Sequence, residues 1–155
     1  MAQTSQISAE QRREAYANMV NTNTGIDEAM IRDLVHTFYA QIRSDELLGP
    51  IFDARIADWD THLERMCLFW SSVTLMSGQY HGRPMPAHAP LPVDGTHFDH
   101  WLALFAQTAR DVCPPAASEL FIDKARMIAT SLELGIATHR GLLLTNGMRL
   151  PPINA

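Results

Sequence analysis

An all-α fold is what this sequence predicts, and three observations predict it. Apolar residues recur at helical spacing over four long stretches, while no stretch alternates apolar and polar residues as a half-buried strand does. The breakers Gly49-Pro50 and Pro114-Pro115 fall between those stretches, where helices must stop.

The elements follow in order. Ser8 to Val20 reads as a helix, and Asn21-Thr22-Asn23-Thr24-Gly25, rich in turn formers, reads as a hinge behind it. Ile31, Leu34, Val35, Phe38 and Ile42 then fall on one helical face, and Asp27 and Glu28 occupy a first turn where the helix dipole favours anions. That predicts a helix from Ile26 to about Arg43. Asp45 to Phe52 begins as a helical turn, but Gly49-Pro50 forbids its continuation, so a short turn and a corner are expected. Trp59, Leu63, Met66, Trp70 and Val73 form the next stripe, with Asp58 or Asp60 as cap and Gly78 as stop.

The stretch HGRPMPAHAPLP, His81 to Pro92, is expected to be a long irregular connection. Beyond it Phe98, Trp101, Leu102, Phe105, Ala109 and Val112 mark a helix opened by Asp94-Gly95-Thr96 and closed by Pro114-Pro115. Pro115 suits the first turn of a last helix whose apolar face is Phe121, Ala125, Ile128, Leu132 and Ile136. The tail from Thr138, broken by Gly141, Gly147, Pro151 and Pro152, has no assignment. The expected organisation is an N-terminal extension over 1–25, a domain over 26–138 and a tail over 139–155.

Composition narrows the function. At 155 residues the chain is long enough for one domain with a real core. Twelve Lys and Arg against seventeen Asp and Glu leave a net charge of −5, and no basic stripe offers itself to phosphates. Nucleic acid is excluded as an expected partner. Cys67 and Cys113 have no CxxC spacing, and Met1 to Glu10 lacks a secretory pattern, so two reduced thiols in a cytoplasmic protein are expected. No apolar run approaches the ~18 residues of a membrane span, so no membrane partner is expected.

Among candidate chemistries, His97-x-x-His100 has one-turn spacing, but no HExxH or CxxC accompanies it to complete a zinc site. Glu-x-x-His does not occur on two helices, as a di-iron bundle requires, and phosphate-cradling glycine loops are missing. His62 lies three residues after Trp59 and four before Met66, on the inward face. A histidine there is more often a hydrogen-bonded core residue than a ligand. Tyr39 flanks its helix's stripe and Trp101 sits in the middle of one; each alone reads as core with a satisfied polar tip. His88 stands among Pro84, Pro86, Pro90 and Pro92, and two readings stand level: a solvated histidine in a helix break, or an imidazole held stiffly for ligation. His81, His97, His100, His36 and His139 read as solvated or turn residues. What remains is a pocket of large apolar groups, Phe38, Phe52, Met66, Phe69, Trp70, Phe98, Trp101 and Phe105, with one histidine on each side and a tyrosine near. Haem suits that set: a flat apolar ring, an axial imidazole and distal donors.

Five motifs carry a resemblance: FYAQIRSDELLGPIF (Phe38 to Phe52), WDTHLERMCLFWSSVTL (Trp59 to Leu75), YHGRPMPAH (Tyr80 to His88), HFDHWLALF (His97 to Phe105) and ARMIATSL (Ala125 to Leu132). Together, over 27 to about 136, the sequence resembles the truncated haemoglobins, specifically their group III; the lack of the Gly-Gly pairs usual in groups I and II agrees. The resemblance implies a two-over-two helical sandwich around haem b, with an extra N-terminal helix here. By similarity His88 is the proximal iron ligand, and Tyr39, Trp101 and His62 are the distal residues that stabilise a bound gas. It implies dioxygen, nitric oxide or another diatomic as ligand at pentacoordinate iron. Redox detoxification of nitric oxide or peroxide, fed by a separate reductase, is the expected activity in a monomer or weak homodimer. A haem-based sensor or a helical interaction module is the alternative.

Overall fold

The computed structural model describes residues 6–145 and 147–153; residues 1–5 of the expected extension and 146, 154 and 155 of the expected tail lie outside the described residues. Every regular element among the described residues is helical. Helix α1 (Ala9–Thr24) opens on a reciprocal cap: the Gln11 amide donates to Ser8 Oγ at 3.1 Å and the Ser8 amide to Gln11 Oε1 at 2.9 Å. The hinge expected at 21–25 is not there. Asn21 to Thr24 form the last turn of α1, Thr24 Oγ1 donating to the Val20 carbonyl at 2.6 Å, and the chain turns only at Gly25, whose φ of 80° favours glycine. Turn-forming side chains lose here to tertiary packing, because Tyr16, Ala17 and Val20 press on the core.

Helix α2 (Glu28–Ser44) is capped by Asp27, whose carboxylate accepts the Met30 amide at 2.8 Å. Its stripe is buried as the spacing predicts: Ile31, Leu34, Val35, Phe38, Tyr39 and Ile42. At the following corner only glycine fits, since a Cβ on Gly49 would stand 2.9 Å from the Arg43 carbonyl oxygen. Helix α3 (Gly49–Asp53) follows. Helix α4 (Trp59–Leu75), capped by Asp58, ends at Met76 in the left-handed region (φ 53°), short of the expected stop at Gly78.

The proline-rich stretch also departs from expectation. Its middle forms α5 (Pro84–His88), about one and a half turns of helix, because a proline in the first turn gives up an amide that no helix uses. Helix α6 (Gly95–Val112) is capped by Asp94, and α7 (Pro115–His139) runs a few residues past Ile136.

Helices α2 and α4 form one pair and α6 and α7 the other, joined by α2 against α6 and α4 against α7, while α1 lies on α4 and α7. Between the pairs Phe105 is stacked by Trp70 (centroids 5.0 Å, 15°) and Trp101 (5.5 Å, 14°), and Phe38 meets its edge at 5.2 Å. A smaller core of Val93, Ile136, Ala137 and Leu150 ties the tail to the molecule.

One polar tie crosses from α6 to the α2–α3 corner: His100 Nε2 lies 2.6 Å from Asp45 Oδ2, while Asp45 Oδ1 accepts the Leu47 and Leu48 amides. Burial pushes the Asp45 carboxyl up, but these hydrogen bonds outweigh it and hold the group below its ordinary 3.8. A carboxylate depressed in the fold contributes stability that is complete above the unfolded value and is lost as pH falls through the folded one. Asp45→Asn is therefore expected to flatten the loss of stability below about pH 4, measured by urea unfolding across acid pH; equal acid slopes in both proteins would refute this.

Candidate functional site

A cavity of about 140 Å³ lies between the helix pairs and reaches α5. Tyr39, His62, His88 and Trp101 line it, as do Phe52, Met66, Phe69, Trp70 and Phe98. Phe38 and Phe105 do not: 2% and 1% exposed, they stand behind the wall and press Tyr39 and Trp101 forward. Helical spacing reports that a residue faces inward, and is silent on how many layers lie before it.

On the α4 side, His62 is wedged edge-on against Tyr39 (centroids 5.0 Å, 89°) and Trp59 (5.7 Å, 88°), and the Arg43 guanidinium lies 4.5 Å over the Trp59 ring. The Nε2 of His62 is buried without a hydrogen-bond partner among the described residues. Leaving such an atom unmet costs about 1–3 kcal/mol, so it marks a place where a ligand belongs. Burial, with the charge of Arg65 added, holds this imidazole below its ordinary 6.5. Near neutral pH His62 is uncharged. Burial also pushes the Tyr39 hydroxyl well above its ordinary 10, so Tyr39 keeps its proton and remains a donor.

On the α5 side, His88 Nδ1 lies 2.6 Å from the Pro84 carbonyl oxygen. A carbonyl only accepts, so this contact places a proton on Nδ1, and in the neutral ring Nε2 then keeps its lone pair. That tautomer is the one a metal-ligating imidazole needs. His97, read from the sequence as solvated, also lines the cavity: its Nδ1 accepts the Asp94 amide at 3.1 Å, turning the ring inward. The signal was in the sequence, for His97 occupies the N3 position after the cap Asp94, where a side chain folds back on the helix start. Tyr80, Leu91 and Val93 complete the wall nearest α5, and His36, His81 and His139 are exposed. A wider hollow of about 520 Å³, at the α6–α7 turn, is open and lined by neither histidine nor aromatic. No group of three or more metal-ligating side chains occurs among the described residues.

Residues 19–131 match the model of the bacterial-like globin family. The group 3 truncated hemoglobin ctb of Campylobacter jejuni is 31% identical over 113 residues, 70% of this chain and 89% of that protein. The chain belongs to the group III truncated haemoglobins. A crystal structure of group III truncated hemoglobin from Campylobacter jejuni is similar at a TM-score of 0.67 and 29% identity, covering 79% of this chain and 96% of that one. The group 2 truncated hemoglobin YjbI of Bacillus subtilis is 29% identical over 80 residues, 50% of this chain and 61% of that protein.

As a truncated haemoglobin the chain is a haem-binding globin, a class that binds small gaseous ligands such as dioxygen. The residues present fit that group. An imidazole with a free lone pair lies at one wall, and an unmet neutral imidazole nitrogen beside a protonated phenol lies at another, with apolar rings between. No described helix of this truncated haemoglobin is long and apolar enough to cross a membrane.

Proposed function

We propose that this globin holds haem b through His88 and uses it for redox turnover of small reactive ligands, nitric oxide or peroxide, with electrons from a separate reductase. The observation that carries the reading is the Nδ1 contact of His88 with the Pro84 carbonyl, which frees Nε2 and raises its basicity. Haem, when bound, supplies an iron that takes diatomic gases and exchanges single electrons. The chain supplies the rest. Tyr39 and Trp101 donate hydrogen bonds to a ligand that gains negative charge, and such charge-assisted bonds are about twice as strong as neutral ones. The apolar walls exclude water, so these donors act at low dielectric. His62, neutral and unmet at Nε2, adds a further donor or gates the entry of the ligand.

In this reading residues 26–138 form the globin unit, 1–25 and 139–155 are additions to it, and the protein works in the cytoplasm as a monomer or weak homodimer. For nitric oxide the turnover balances as one nitric oxide, one dioxygen and one electron giving one nitrate. The reduced protein, equilibrated with dioxygen and mixed with one equivalent of nitric oxide, is expected to yield nitrate stoichiometrically within the mixing time. Gas binding without nitrate would point to a sensor instead.

A further inference from the structure

We propose that Arg140 is a positioning residue for His88, acting through the two carbonyls that follow α5. Helix α5 has five residues, too few to hold its own direction, and the helix it packs against is α7. The segment behind it holds Pro90 and Pro92, which lack amides, and its own bonds are few: the Leu91 carbonyl accepts the Val93 amide at 2.9 Å. One nitrogen of Arg140, Nη2, donates to the Leu91 and Val93 carbonyls, at 2.8 Å and 2.9 Å. Leu91 in turn donates its amide to the His88 carbonyl at 3.0 Å, so the guanidinium stands two hydrogen bonds from His88. Arg140 is fixed in turn at the C-cap of α7, its amide bonded to the Ile136 carbonyl at 3.0 Å, and the chain then reverses at Gly141 (φ 74°).

The same segment of chain secures the neighbouring anchors. Gly135 leaves the notch in α7 that the Met85 thioether occupies, where any Cβ would collide. Further on, Leu150 accepts the Gly95 amide at 2.8 Å and gives its own amide to Glu133 at 2.9 Å, and Arg149 Nη2 donates to the Gly95 carbonyl at 3.1 Å. Each of Glu133, Gly135, Arg140, Arg149 and Leu150 lies beyond residue 131, where the family match ends. The placement of α5, and with it of His88, thus leans on a part of the chain beyond the family match. Arg140 is its nearest hold.

The proposal rests on His88 as the iron ligand, and the test separates the two. The full chain carrying ferrous haem is examined by resonance Raman spectroscopy for the iron–histidine stretch. Presence of the band in the wild type and its loss in His88→Ala support the ligand assignment; survival of the band in His88→Ala would overturn that assignment. With the assignment standing, Arg140→Ala is expected to displace or split the band, and Arg140→Lys to restore it, because one ammonium donates to both carbonyls. An unmoved band in Arg140→Ala, even with a lowered melting temperature, would show a merely structural role and overturn the proposal. If Arg140→Ala does not fold, Arg140→Met, which keeps the aliphatic stem and removes the donor, must displace the band; an unmoved band there overturns it equally.

Discussion

Protein carrying His88→Ala is expected to lose haem, its affinity falling by more than about 100-fold, since removing even a hydrogen-bond partner of a metal ligand costs 10–100-fold. The measurement is the Soret band of protein purified from haem-supplied cells, followed by titration with haemin. The effect is large because His97 already accepts the Asp94 amide through Nδ1, and His62 stands on α4, wedged between Tyr39 and Trp59. His88→Gly with added imidazole should regain the band, because the cavity walls survive the change. A Soret band as intense in His88→Ala as in the wild type would refute the assignment.

Dioxygen should leave faster when the donors are removed. A hydrogen bond to a charged or charge-gaining partner is worth about 1.5–3 kcal/mol, which is about 10- to 150-fold in rate. Tyr39→Phe and Trp101→Phe are each expected to raise the dissociation rate within that range, measured by stopped-flow displacement with carbon monoxide. Tyr39→Phe removes only an oxygen from a ring held by Phe38, Phe52, Trp59 and His62, so its shape is preserved and the readout is the hydroxyl alone. Because burial drives the Tyr39 pKa upward, the wild-type rate should be flat with pH up to about 10 as far as this group is concerned. Unchanged rates in both variants would remove Tyr39 and Trp101 from the role.

The sequence made some of this legible and hid the rest for identifiable reasons. The α2 stripe, the Asp caps and the proline stops are local signals, and the helices they imply stand within a few residues of expectation. The inward faces of His62 and Trp101 followed from spacing alone. Three things were hidden. Proline was read in the stretch 81–92 as a breaker, whereas Pro84 opens a short helix whose last residue is His88. Phe38 and Phe105 were read as cavity wall because periodicity gives direction and no depth. The tail carried no periodic pattern, since Arg140, Arg149 and Leu150 work through partners 16 to 54 residues away. Long-range ties of that kind leave no trace in local spacing.

The aromatic stack between the helix pairs has an optical consequence. The chain contains three tryptophans, and all of them border one small region: Trp70 and Trp101 line the cavity and sandwich Phe105 behind its wall, and Trp59 abuts Tyr39 and His62. A strongly absorbing macrocycle seated there would lie within easy reach of every emitter in the chain. The intrinsic ultraviolet emission of this protein is therefore a direct gauge of pigment loading, with no distant indole to supply a constant background.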